Sequence, residues 1–178
     1  MDKEDTVSAS VPDWHRETVR RFWDPGPKLL RALRRYQAAQ SRSGTFGRIL
    51  GKICAKYWVL VHRFWSLCTQ SEIHLNMQIA GGLRLPHPTG IIVHPRAQIG
   101  PNCQLMHQVT LSGAVVLAGH VDVGAGAKLL GPLTIGADAE IGANAVVTSD
   151  VPAGAVMGGV PARILKMKPG YAPITDAT

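Results

Sequence analysis

The chain has 178 residues, with 46% apolar and 17% charged side chains, a composition for one soluble domain with a real core plus a small extra element. No apolar run approaches a bilayer span, and the acidic, polar opening MDKEDTVSAS does not read as a secretory signal. The net charge of +7 is lopsided: residues 1–71 carry 13 Lys/Arg against 6 Asp/Glu, and residues 72–178 carry 6 against 6. A basic surface suits nucleic acid or an anionic membrane face. No aromatic-plus-basic nucleic-acid module is present, so no nucleic-acid partner is expected.

Residues 1–71 read as a basic α-helical region. DPGPKLLRALRRYQAAQ opens on a breaker and then places Leu29, Leu30, Leu33 and Tyr36 on one helical face. SRSGTFG interrupts it. RILGKICAKYWVLVHRFWSLC follows, with Leu50, Ile53, Cys54, Tyr57, Val61, Phe64 and Cys68 along one stripe and Lys52, Lys56 and Arg63 mostly off it. Packing of that stripe against the rest of the protein or its copies is the plainer expectation; peripheral membrane contact is the other.

From residue 93 an aliphatic recurs every six residues: Val93, Ile99, Leu105, Leu111, Leu117, Val123, Leu129, Ile135, Ile141 and Val147. Four places after each stands a small or aliphatic residue, from Ala97 and Cys103 through to Ala145 and Val151. A six-residue period fits neither an α-helix nor a hairpin meander; it predicts a parallel β-helix whose short strands stack from coil to coil. Run backwards, the register reaches Ile91, Leu85, Ile79 and Leu75, so the solenoid is expected to start near residue 73. The flat faces of such a solenoid need caps or copies to cover them, and clefts between copies are natural binding sites.

SEIHLNMQI, LPHPTGIIV, QVTLSG, VDVGAGAKLLGPLTIGADAEIGANAVV and GGVPARI, in this order and spacing, resemble the serine acetyltransferase branch of the hexapeptide-repeat acyltransferases over about residues 72–166. The resemblance implies a left-handed parallel β-helix at 72–166 after the helical region 1–71, with 167–178 as a tail. It also implies homotrimers with sites between subunits, and direct acetyl transfer from acetyl-CoA, as co-substrate, to a hydroxyl. His87 matches the catalytic histidine, and Glu72, fifteen residues earlier, matches its acidic partner, usually aspartate. The chemistry needs such a pair: a neutral alcohol is a poor nucleophile until a base takes its proton, and a carboxylate on the far ring nitrogen stabilises the imidazolium. Flanking prolines, Pro86 and Pro88, give His87 a stiff mount.

By the same resemblance Gly113, Ala125 and Ala143 are where the pantetheine arm of acetyl-CoA lies along the coils, with an N–H near Gly113 supporting the oxyanion. Gly158, opening GGVPARI, joins the cofactor set, with Arg163, Lys166 and Lys168 as phosphate contacts. Three departures matter. Pro86 stands where serine acetyltransferases carry aspartate, the loop ending in Arg-His after the TLGG-like stretch is missing, and the tail ends DAT without the isoleucine that docks into cysteine synthase. The serine pocket is therefore incomplete, weak serine acetylation is expected, and Arg84 or Arg63 is the candidate replacement cation. A sugar hydroxyl of a surface polysaccharide is the alternative acceptor.

A γ-class carbonic anhydrase shares this fold but needs two zinc-binding histidines about five residues apart. The histidines here, 15, 62, 74, 87, 94, 107 and 120, contain no such pair, so no metal is expected. His107 is the spare histidine with a solvent-facing position and is expected to line a groove. Cys54, Cys68 and Cys103, odd in number and without metal-type spacing, read as buried thiols in a reducing cytoplasm.

Overall fold

A computed structural model describes residues 7–171, without the side chains of Thr45 and Phe46; residues 1–6 and 172–178, including the terminal Asp-Ala-Thr, lie outside it. A 3-10 turn at Trp14–Glu17 precedes two helices, α1 (Pro25–Gln40) and α2 (Thr45–Thr69). A parallel β-solenoid of about five coils follows. Its three faces are sheets of short strands. One joins β1 (Glu72–Ile73), β3 (Ile92–Val93), β6 (Thr110–Ser112), β9 (Lys128–Leu130) and β12 (Val146–Val147). A second joins β2 (Gln78–Ile79), β4 (Gln98–Ile99), β7 (Val115–Leu117) and β10 (Leu133–Ile135). The third joins β5 (Gln104–Leu105), β8 (Asp122–Val123), β11 (Glu140–Ile141), β13 (Ala155–Gly159) and β14 (Ala162–Met167), the last pair antiparallel.

The hexad aliphatics point inward and stack. Val93, Leu111, Leu129 and Val147 form one column at 18-residue steps, and all four are at most 1% exposed. The second positions, from Ala97 to Ala145, are buried too and are mostly small, as the narrow interior of the coils requires. The spacing is not uniform. Ile73 pairs with Val93, a 20-residue step, and Ile141 with Met157, a 16-residue step. The first coil thus carries two extra residues, between Leu85 and Ile91, where His87 stands. The last coil is two residues short, so Val151 pairs with Ile135 and leads the hexad instead of following Val147.

Residues 8–40 close the open end of the first coil. Leu29, Leu30 and Leu33 of α1 join the solenoid core with Leu83 and Leu85. Polar groups take up the free backbone, as a buried solenoid end requires. Arg34 donates to the Ile79 and Ala80 carbonyls (2.5 and 2.6 Å) and to both oxygens of Glu17 (2.8 and 3.1 Å). Gln37 donates to the Leu75 and Met77 carbonyls (3.1 Å each). Glu17 accepts from the Gly82 and Leu83 N–H groups, and Asn102, fully buried, binds the Ser8 and Val11 carbonyls and the Asp13 N–H. Tyr36, expected on the apolar face of α1, is only half-buried.

Within one chain, α2 turns a different face inward from the expected stripe. Its inner face is Gly51, Ala55, His62, Trp65 and Thr69, while Leu50, Ile53, Tyr57 and Phe64 of the expected stripe are 41–62% exposed. The cause is close packing: a Cβ on Gly51 would stand 2.5 Å from the Ala39 carbonyl of α1. A face that is small at Gly51 and Ala55 lets the helices approach so closely there, and that turns the larger aliphatics of α2 outward. The thiols are corrected likewise. Cys103 is buried and pushed up to about 12 by that burial, but Cys54 is half-buried and Cys68 exposed. Among the described residues no helix is long and apolar enough to cross a membrane.

Candidate active site

The two-residue extension of the first coil bulges at the corner between the third and first sheets, and it presents His87 to solvent. Ser71 pins the bulge from beneath: its hydroxyl donates to the Pro88 carbonyl and accepts from the Ile91 N–H (3.2 Å). On the next coil the His107 ring lies edge-to-face with His87, centroids 6.2 Å apart. Below it the same corner repeats. The Gln108 N–H donates to Thr89, the Gly126 N–H to His107 and the Asn144 N–H to Ala125, at 2.8–2.9 Å. Gly90, Gln108, Gly126 and Asn144 all take the left-handed conformation that such a tight corner demands.

This column collects two of the expected cofactor residues and approaches a third. Ala125 and Ala143 occupy it one coil apart, and the Gly142 N–H donates to Met157 (2.8 Å), which sets Gly158 beside Gly142, immediately before Ala143. From His87 through His107, Ala125 and Ala143 to Gly158 is four coil steps of about 4.8 Å each, a length suited to an extended pantetheine arm. Gly158 pairs with Arg163 across β13 and β14. Arg163 and Lys166 are exposed, whereas Lys168 has an ion-pair partner in Glu140 at 3.8 Å. Gly113 is elsewhere. It turns the corner between the first and second sheets, beside Gly131 of the next coil, so one chain does not bring it to the His87 column.

Glu72 does not meet His87 within the chain: among the described residues no hydrogen bond or ion pair joins them. Glu72 projects into a hollow of about 520 Å³ shared with His62, Arg63, Ser66 and His74. Burial pushes the His62 imidazole below its ordinary value, and its Nε2 has no hydrogen-bond partner among the described residues. His87 lines a separate hollow of about 490 Å³ together with Arg20, Arg21, Trp23, Asp24 and Pro86. The two candidate cations also part: Arg63 borders the Glu72 hollow, and Arg84 a third one with Arg16 and Arg20. Sequence reasoning missed Arg20, Arg21 and Asp24, because nothing local in RRFWDPGP signals contact with a corner more than sixty residues away.

No family model matches the chain. Serine acetyltransferase of Mycobacterium tuberculosis (strain ATCC 25618 / H37Rv) is 38% identical over 110 residues, 57% of this chain and 48% of that protein. Serine acetyltransferase of Helicobacter pylori (strain J99 / ATCC 700824) is 39% identical over 105 residues, 54% of this chain and 61% of that protein. The chain thus spans about half to three fifths of these relatives. Among solved structures, a serine acetyltransferase in complex with CoA aligns with TM-score 0.64 and 28% identity, covering 81% of this chain and 58% of that one. The Neisseria gonorrhoeae serine acetyltransferase in complex with serine aligns with TM-score 0.64 and 30% identity, covering 79% and 57%. In motifs, sequence and fold alike, the solenoid of this chain is similar to that of the serine acetyltransferases.

Proposed function

We propose that the chain is an acetyl-CoA-dependent O-acetyltransferase acting on a small hydroxyl acceptor of the L-serine class. The observation that carries this is His87: an imidazole on a stiff, solvent-facing bulge, at the head of a column of small corner residues, in a fold shared with a serine acetyltransferase bound to CoA. The acceptor oxygen attacks the thioester carbonyl as a ring nitrogen of His87 takes its proton. The tetrahedral adduct collapses with expulsion of the CoA sulfur, and the proton held on His87 passes to it. The products are the acetyl ester and free CoA. The sugar-hydroxyl alternative has no comparable support, since the relatives and solved structures described above are all serine acetyltransferases.

The assembly in this reading is a homotrimer. Supporting it, the expected site is divided within one chain: Glu72 and His87 open into different hollows, and Gly113 stands on a different corner from Ala125 and Ala143. A neighbouring copy brings such pieces together. Large apolar side chains on the flat faces, Ile92 and Leu130 among them, are exposed as well. A reducing, cytoplasmic setting accords with three free cysteines. The outward face of α2, edged by Lys52, Lys56 and Arg63 with no acidic residue on the helix, supports peripheral contact with an anionic membrane as a second reading of that face.

Thiol release from acetyl-CoA across amino-acid and sugar acceptors tests the activity, with release dependent on serine the expected result. Sedimentation showing a stable monomer at micromolar concentration contradicts the trimer.

A further inference from the structure

A free amino acid is a demanding acceptor. Its carboxylate needs a cation and its ammonium an acidic or carbonyl group, or both lose their water without compensation. The family-like positions for this are Pro86 or are missing with the loop, so the solenoid alone offers His87 no partner for either charge.

The segment before α1 offers both. Arg20, Arg21 and Asp24 share the rim of the His87 hollow. Several contacts fix the segment there. One carboxylate oxygen of Asp24 accepts from the Arg20 N–H at 2.9 Å, and the Asp24 carbonyl accepts from the Lys28 N–H at 3.1 Å. Lys28 Nζ holds the Phe22 carbonyl, and Trp23 packs edge-on against Trp65 of α2 with centroids 5.3 Å apart. Gly26 lies so close to the first coil that a Cβ would stand 2.3 Å from the Leu85 carbonyl, two residues before His87. Among the described residues neither the Arg20 nor the Arg21 guanidinium has a hydrogen-bond or ion-pair partner. Two uncommitted cations and a carboxylate with one free oxygen, around a base, are the complement of a β-hydroxy amino acid.

We infer that Arg20 and Arg21 bind the acceptor carboxylate and Asp24 its ammonium, placing the hydroxyl at His87; this rests on the acetyltransferase reading. The substrate class is a small zwitterionic hydroxy amino acid. The specificity determinants come from the N-terminal segment, in place of the missing solenoid loop.

Steady-state kinetics of the full chain at saturating acetyl-CoA test it with three acceptors: L-serine, serinamide, which lacks the carboxylate, and 3-hydroxypropionate, which lacks the ammonium. The double variant Arg20→Ala/Arg21→Ala is expected to lose about ten- to a hundredfold in kcat/KM for serine, through KM. Its activity on serinamide should stay within about twofold, which also shows that it is folded. Asp24→Asn, whose amide oxygen still accepts from the Arg20 N–H, should lose on serine and serinamide but not on 3-hydroxypropionate. Equal losses on serine and serinamide, or no loss on serine, overturn the inference. So does a raised KM for acetyl-CoA with that for serine unchanged, which would assign the arginines to the CoA phosphates. These outcomes leave the acetyltransferase reading standing. Wild-type protein that acetylates none of the three overturns that reading and this inference together.

Discussion

In the solenoid each inward side chain rests on its counterpart one coil away, Val93 on Leu111, Leu111 on Leu129 and Leu129 on Val147. Residues 8–40 hold the first coil differently, by three leucines and a set of long polar side chains aimed at backbone groups. The first region repeats one local rule and propagates it. The second is fitted once, to one end, by contacts between residues far apart in the chain. His87 stands at the seam: its mount belongs to the solenoid and the facing wall of its hollow to residues 20–25.

Breaking the seam has the largest expected effect. His87→Ala should lower turnover by about 10²–10⁴-fold, the usual worth of a positioned base, with CoA binding nearly unchanged. Wild-type turnover in that variant would remove His87 from the chemistry. Glu72→Gln should cost less, because an amide still orients a ring without stabilising its charge. In mixed trimers, inactive Glu72 and groove variants should recover activity where the two lesions fall on different sides of one interface.

Next come tests of how each region is held. Leu129→Ala empties a place in the middle of the inner column and should cost about 2–5 kcal/mol in urea unfolding. Arg34→Ala removes charged donors from two carbonyls of the first coil and should cost about 1.5–3 kcal/mol. An equal or larger loss for Arg34 would mean that the cap, not the stack, dominates stability.

How much of each region was legible follows from the same contrast. A hexad residue meets only its counterparts one coil up and down, so the inward positions from Val93 to Val147 could be read one repeat at a time. The shortened last coil breaks the period, so counting hexads alone misplaces Val151. The inner face of α2 was not legible, because it is set by the Ala39 carbonyl of another helix and not by where Ile53 or Phe64 falls on the wheel. At the site, the stiffness of the His87 mount shows in PHPTG, and the repeating corner shows in the spacing of Ala125 and Ala143. The walls of the hollow do not, since Arg20 and Asp24 reach it only through the docking of α1 on Leu85.

Two smaller effects sharpen the comparison at its edges. Burial opposes ionisation of Asp138, but hydrogen bonds from Tyr171 (2.5 Å) and His120 (2.6 Å) outweigh it and hold the carboxyl below its ordinary value. A carboxyl depressed by folding contributes stability above its unfolded pKa and loses it as pH falls through the folded value. Tyr171→Phe should therefore reduce the acid-side drop in stability by less than about 1 kcal/mol. Smallest of all, Ile53→Ser on the outer face of α2 should change monomer stability by no more than about 0.5 kcal/mol. A large loss there would mean that the face is buried in the working assembly.

The central claim is acetyl transfer at the His87 corner, and product analysis tests it most directly. Wild-type protein incubated with acetyl-CoA and L-serine should release CoA thiol and form O-acetylserine in equal amounts, and His87→Ala should form neither above background. Thiol release without an acetyl ester, or ester formation unaffected by His87→Ala, would contradict the account.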